Sequence, residues 1–307
     1  MTNNELNSHQ HSQQQGRPVI FGEVLFDSFP DGSVVMGGAP LNVACHLKGF
    51  GLDPLLISRI GRDELGQQIL TTIRAWGLDE SGIQQDDKHP TGRVEVTLFN
   101  GQPSYAILPE QAYDFIDSAA VDVLTQQNVV ALLYHGSLAI RNAVSRTAIN
   151  TLRNKKYRRF VDINLRAPWY DASNVGEWLD DATWVKLNDD EFVELSQSDI
   201  SAANVQSYSR QHQIDNMILT LGEHGAQIHT GDNTVSGEPV KVDAIADTVG
   251  AGDAFSSIML LGILSGWNFT ETMPRALAFA AFLCTVRGAT IKDKTIYRAF
   301  KEQWSMI

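Results

Sequence analysis

The residues of this chain best suited to chemistry lie together in Asp247-Thr-Val-Gly-Ala-Gly-Asp-Ala-Phe255. Gly250, Ala251 and Gly252 allow a tight turn and a close approach of backbone to a ligand. A helix-forming run follows, from about Gly252 to Ser265. The start of such a helix presents unpaired N–H groups and the positive end of its dipole, a ready site for phosphate. Asp253 stands beside those donors, where a carboxylate can take a proton from an attacking hydroxyl. Donors around a developing phosphoryl charge, together with a base, are what phosphoryl transfer needs. On spacing alone the same residues serve as a glycine turn with Asp253 capping a helix. The loop lacks the Gly-Lys-Ser/Thr of a Walker A loop, and there is no Gly-x-Gly-x-x-Gly dinucleotide fingerprint.

Further polar residues fall at the ends of apolar runs. Asp27 follows the first run, where a carboxylate can accept hydrogen bonds from two hydroxyls. Gly38 permits close approach. The Asn42 amide can donate and accept, or cap a helix. Arg166 suits a substrate or a phosphate. Asp162 and Asn164 suit the same purpose or a strand-end turn. Lys186 either reaches a phosphate or is a solvated strand-end lysine. Asn188 and Glu191 have the spacing of a capping box. Thr220 and Gly222 form a strand-end turn, and Gly225 shapes the loop after it.

These residues must be positioned by regular elements. Val19 to Phe26 reads as a buried first strand, with Asp31-Gly32 as a turn and Val34 to Met36 as a return strand. A helix over about Leu41 to Gly49 follows, then a strand at Leu55 to Ile60 and a helix at Glu64 to Trp76, with Gly77 as its stop. In Gly92 to Leu108, Val94, Val96 and Leu98 alternate with polar residues around an Asn100-Gly101 turn, as in a half-exposed hairpin. From Val129 strands alternate with helices, the mark of a mostly parallel sheet covered on both faces. Strands are expected at 129–134, 160–163, 183–187 and 217–221. The last part reads as helices at about 252–265, 272–287 and 295–304. In open sheets of this kind ligands bind beyond the carboxyl ends of the strands.

The 307 residues carry 24 basic and 36 acidic side chains, a formal charge of −12. That balance disfavours a nucleic-acid or anionic-membrane surface. Met1 to Arg17 is a polar stretch expected to be a disordered tail, without the pattern of a secretory signal. The longest apolar run, Ala276 to Val286, is too short to span a bilayer. A cytoplasmic protein is expected. Cys45 and Cys284 lie in apolar stretches and read as packed free thiols.

Asp247 to Phe255 resembles the C-terminal signature of the ribokinase/PfkB family of carbohydrate kinases. Gly37-Gly38-Ala39-Pro40-Leu41-Asn42-Val43-Ala44 resembles the N-terminal signature, especially of the fructokinase branch. Gly22-Glu23-Val24-Leu25-Phe26-Asp27, Asp162-Ile163-Asn164-Leu165-Arg166, Asn188-Asp189-Asp190-Glu191 and Thr220-Leu221-Gly222-Glu223-His224-Gly225 follow in the family order. The resemblance runs from about Val19 to the C-terminus. It implies a ribokinase-like three-layer α/β/α sandwich over residues 18–307, with a small β-sheet lid built from hairpins near 27–37 and 92–109.

The resemblance further implies an ATP-dependent sugar kinase. Asp253 is then the general base, and the amides of Gly250, Ala251 and Gly252 are the anion hole. Asp27, Gly38, Asn42 and Arg166 are implied for the sugar, and Lys186, Asn188, Thr220, Gly222 and Gly225 for the nucleotide. Glu191 is implied for Mg²⁺, through water. Asp247 and Val249, with the segment 283–288 opposite, match a K⁺ site, although Asp247 also serves simply to fix the loop. Leu277 or Phe279 stands where relatives carry a polar residue near adenine, so an apolar adenine contact is expected. In the lid, Arg93, Glu95 and Tyr105 face either substrate or solvent. The expected partners are a small sugar and ATP, with a homodimer through the lid left open. Fructose is the first acceptor; ribose, 2-keto-3-deoxygluconate and nucleosides are alternatives. A non-catalytic sugar-binding regulator is an alternative of another class, and a nicotinamide-dependent dehydrogenase is disfavoured.

Overall fold

The structure, a computed structural model, describes residues 16–99, 102–242, 244–291 and 293–306. In chain order its elements are β1 (Arg17–Phe21), β2 (Leu25–Ser28), β3 (Val34–Gly37), α1 (Ala39–Gly49), β4 (Leu55–Gly61), α2 (Glu64–Trp76), β5 (Ile83–Asp86), β6 (Gly92–Phe99), β7 (Gln102–Ile107), α3 (Ser118–Gln126), β8 (Val130–His135), α4 (Ala143–Arg153), β9 (Arg159–Asp162), α5 (Ala172–Leu179), β10 (Trp184–Asn188), α6 (Asp189–Ser196), α7 (Ala202–Gln211), β11 (Asn216–Thr220), β12 (Ala226–Thr230), β13 (Asn233–Gly237), α8 (Ala251–Ser265), α9 (Phe269–Leu283) and α10 (Thr295–Gln303).

Nine strands form the large sheet in the order β13-β12-β11-β10-β9-β8-β1-β4-β5. All pairs from β11 to β5 are parallel; β12 and β13 extend the edge antiparallel. Alternate side chains of each strand point to opposite faces. Ile20, Tyr134, Phe160, Trp184 and Ile218 pack on one face with α1, α2, α8, α9 and α10. Phe21, Leu133, Val161, Val185 and Leu219 pack on the other with α3, α4, α5, α6 and α7. Two cores against one sheet make a three-layer α/β/α sandwich. Both cysteines are free thiols, with Cys45 buried. No helix among the described residues is long and apolar enough to cross a membrane.

The expected first strand is two strands in two sheets. β1 ends at Phe21, and after Gly22-Glu23-Val24 the chain enters β2, which pairs antiparallel with β3 and parallel with β6. A Cβ on Gly22 would lie 2.4 Å from Pro40 Cγ, so only glycine lets the strand end approach the start of α1 this closely. Hydropathy could not reveal the step, because Val24, Leu25 and Phe26 are buried on both sides of it. Asp27 therefore belongs to the small sheet, order β3-β2-β6-β7, and not to the end of a large-sheet strand. Within this sheet Val94 and Val96 are buried, while Arg93, Glu95 and Tyr105 are exposed. The expected turn at Asn100-Gly101 lies outside the described residues, as do residues 1–15. Arg17, expected at the end of the polar tail, opens β1 and bonds Asp79 at 2.8 Å.

β5, α3 and the β12–β13 hairpin had no counterpart in the sequence reading. The third-last helix matches within a residue, but α9 ends at Leu283, four residues earlier than expected. Beyond it Cys284, Thr285 and Val286 run in turns, and Gly288 at φ +88° carries the chain away.

Candidate active site

Parallel strands bring their carboxyl ends to one edge of the sheet. Asp162 ends β9, Asn188 ends β10 and Thr220 ends β11, and α8 opens over the same edge. Lys186 pairs in register with Asp162 across β9–β10, so both side chains face the α8 layer.

Gly250 is the N-cap of α8 at φ +81°, and a Cβ there would lie 2.5 Å from the Ala289 Cβ. Only glycine fits both constraints. Ala289 is itself held by His46, whose Nε2 lies 3.1 Å from the Ala289 carbonyl oxygen. The helical ladder begins with the Ala254 N–H donating to Gly250 O at 2.8 Å. The N–H groups of the first turn thus lie ahead of the ladder, and helix geometry gives them no acceptor within α8. That of Ala251 reaches back to Thr248 O at 3.3 Å.

Asp253 sits in this first turn. Asn42 Nδ2 donates to its Oδ2 at 2.7 Å, linking α1 to α8. Asn42 therefore does not cap its helix: Gly38 is the N-cap of α1. Burial raises the Asp253 pKa to about 6; the nearby Asp162 charge adds to this, while Asn42, Lys186 and Arg166 oppose it. A base with that value is mostly ionised at neutral pH and still basic enough to accept a proton. A reaction that needs ionised Asp253 should lose rate as pH falls through about 6 and reach a plateau above it. A kcat/KM profile against pH checks this, and a flat profile between pH 5 and 8 would count against it.

Lys186 is buried, not solvated. Its Nζ lies 2.8 Å from Asp162 Oδ1. A Cβ on Gly252 would sit 3.5 Å from that Nζ, so the ammonium lies against the N-terminus of α8. Burial works against its charge, but the Asp162 carboxylate, with those of Glu191 and Asp253, outweighs this and its pKa is raised. Asp162 Oδ2 accepts from Ser256 Oγ at 2.6 Å and from Tyr134 Oη at 3.3 Å. Ser256 and Tyr134 were missed from sequence. The only signal for Ser256 was its place one helical turn after Asp253.

Asn188 and Glu191 form the full capping box: Glu191 N donates to Asn188 Oδ1 at 2.7 Å, and Asn188 N to Glu191 Oε2 at 2.8 Å. Glu191 Oε1 accepts from Leu165 N at 2.7 Å, which ties the Arg166 loop to α6. Burial raises the Glu191 pKa. Both carboxylate oxygens are engaged, so a Mg²⁺ here fits best through water, in keeping with an ion that retains its hydration. Among the described residues no group of three or more His, Cys, Asp or Glu side chains is arranged to hold a metal by itself.

Asp247 joins two walls of the loop. Its Oδ1 accepts from Val249 N at 3.0 Å and its Oδ2 from Gly288 N at 3.2 Å, while the Cys284 carbonyl accepts from Ala246 and Asp247. The Asp247 carboxylate thus ties the loop before α8 to the segment after α9.

Thr220 Oγ1 lies 3.4 Å from Leu187 O. Gly222 has φ +55°, and Gly225 has φ +84° with room for no Cβ, which would meet Gly237 O at 2.1 Å. Phe279 cannot contact adenine. It is fully buried, edge-on to Phe50 at 5.0 Å and to His46 at 5.2 Å. Leu277 is only partly buried and packs at Gly237. Burial raises the Asp27 pKa, and Arg166 opposes it; Gly37 backs the carboxylate, with a Cβ there 3.8 Å from Oδ2. Arg166 is exposed and bonds Leu165 O at 3.1 Å.

The model of the pfkB family of carbohydrate kinases matches residues 21–296. This chain belongs to that family. It is 28% identical over 304 residues to fructokinase-2 of Oryza sativa subsp. japonica, covering 89% of each chain. The fold is that of an uncharacterized sugar kinase of Pyrococcus horikoshii in complex with ATP, at a TM-score of 0.78 and 24% identity over 94% of this chain and 99% of that one. A fructokinase double mutant of Vibrio cholerae, with fructose, ADP and potassium ion bound, matches at a TM-score of 0.77 and 22% identity over 93% and 98%. Chains of the same fold also include a nucleoside kinase and a 2-dehydro-3-deoxygluconokinase. The pfkB member described here is a fructokinase-like sugar kinase, an ATP-dependent phosphotransferase acting on a sugar hydroxyl.

Proposed function

We propose that this kinase phosphorylates fructose, with Asp253 as general base. The observation that carries the base is its setting: a half-buried carboxylate in the first turn of α8, fixed by Asn42 and beside the first-turn N–H groups and Lys186. Asp253 takes the proton of a primary hydroxyl as that oxygen attacks the γ-phosphorus of ATP. The amides at Gly250–Gly252 and the Lys186 ammonium stabilise the charge on the transferred group, and ADP leaves. Asn188 and, through water, Glu191 would hold Mg²⁺, which would supply charge neutralisation at the phosphates. Thr220, Gly222 and Gly225 shape the nucleotide turn. Asp247 and the carbonyl of Val249 form the K⁺ site. Asp27, Gly38 and Arg166 bind the sugar beneath the small sheet, which acts as a lid and excludes water so that ATP is not hydrolysed.

Fructose is favoured by the Gly-Gly-Ala-Pro-x-Asn and Asp-x-Asn-Leu-Arg runs and by the rice relative. ADP release over a panel of hexoses, pentoses, keto-acid sugars and nucleosides, with and without K⁺, tests the acceptor. Fructose should give the highest kcat/KM, and K⁺ should raise the rate. A preference for ribose, a keto-acid sugar or a nucleoside would displace fructose. A panel with no stimulated ADP release would support a sugar-binding regulator.

A further inference from the structure

Glu23 takes no part in the chemistry above, yet it lies at the step between the two sheets. It is 4% exposed, and its Oε2 has no protein partner. Two other buried polar atoms nearby share that condition: the Tyr113 hydroxyl and Arg141 Nη1. The Glu23 and Arg141 charges act on each other, and both act on the Tyr113 hydroxyl. Buried polar atoms are nearly always paired, so three unpaired atoms in one cluster call for a cause.

The cluster sits where the small sheet is rooted. Arg141 Nη2 donates to Leu108 O at 2.6 Å, just past the end of β7, and Nε to Asp114 Oδ1 at 2.7 Å. The Arg141 guanidinium lies 5.2 Å from the Tyr113 ring centroid and is covered by the Trp169 ring at 4.1 Å. The Tyr113 ring packs on Gly92 at the start of β6, where a Cβ would come within 2.7 Å of it. Glu23 itself lies in the link from β1 to β2, two residues before β2 begins, and its carbonyl packs on Gly38, where a Cβ would lie 2.6 Å away. One root thus gathers the attachments of β2, β6 and β7.

We propose that Glu23 is a positioning residue for phosphoryl transfer: it latches the root of the small sheet by accepting hydrogen bonds from the Tyr113 hydroxyl and Arg141 Nη1 when that sheet closes over the acceptor. The proposal rests on reading the small sheet as a lid. In the arrangement described here burial holds the Glu23 pKa up to about 7, the Asp253 charge adds to this, and Arg166 and Arg141 oppose it. Closing the latch gives the carboxylate two donors, which favours its ionised form. The latched form therefore has the lower pKa. Its population grows as pH rises through about 7 and is lost as pH falls below that.

Amide hydrogen exchange of the full chain at β2 and β6, which pair from Leu25–Gly92 to Ser28–Glu95, reads the latch without any sugar. Failure of the acceptor assignment therefore leaves this test intact. Protection, corrected for the intrinsic rate, should rise about three- to tenfold between pH 6 and pH 8 in the wild type. Glu23→Gln, of the same shape and always neutral, should flatten that rise, and Tyr113→Phe should shrink it. The double variant should match Glu23→Gln alone, because the two side chains act as one unit. An unchanged rise in Glu23→Gln, or additive effects of the two substitutions, overturns the proposal. If Glu23→Gln does not fold, Tyr113→Phe decides alone: an unchanged rise refutes the latch.

Discussion

Asp253→Asn should lower kcat by about 10²–10⁴-fold, the usual contribution of a positioned general base. The change keeps size and shape, and Asn42 can still donate to the remaining oxygen. Melting temperature and ATP affinity should therefore stay close to wild type. The acid limb near pH 6 should vanish from the residual activity, because the group responsible for it is gone. A variant with wild-type kcat would remove Asp253 from the mechanism. A variant that lost ATP binding as well would point instead to a structural role at the start of α8.

Lys186→Met should be costly in a different way. The substitution leaves the Asp162 carboxylate buried, still bonded to Ser256 and Tyr134 but without its counter-charge. Breaking a buried pair from one side typically costs about 3–5 kcal/mol of stability. Chemical denaturation should register a loss of that order. Lys186→Met with Asp162→Asn removes both charges and should recover much of the stability. It should not recover activity, since the ammonium beside Gly252 is still absent. Recovery of turnover in the double variant would show that Lys186 only neutralises Asp162.

What the sequence revealed and what it hid follow from range. The Gly250–Asp253 loop was legible because its chemistry is local: glycines, a helix start and a carboxylate within four residues. The same holds for the Asn188–Glu191 capping box. The two sheets were harder. Val19 to Phe26 is continuous in hydropathy, and the step at Gly22 depends on Pro40, eighteen residues further on. The parallel pairing of β2 with β6 spans more than sixty residues and has no short-range mark. Asn42 illustrates the same limit. Its amide was recognised as useful, but its bond to Asp253 crosses 211 positions. Phe279 erred in the other direction: one face of a helix was expected to meet a ligand, and tertiary packing filled it with Phe50, His46 and Phe300.

The break between β1 and β2 bears on how such an enzyme can change. Asp27 rides on a strand of the small sheet, whereas Asp253 and Lys186 are set by α8 and β10. Gly22, Glu23 and Val24 carry the chain from β1 into β2. With Asp27 as the proposed acceptor ligand, substitutions along β2, β3, β6 and β7 are expected to alter which acceptor is held without disturbing the phosphate machinery. Divergence of acceptor preference, whether by natural drift or by grafting one small sheet for another, has a separable unit to act on.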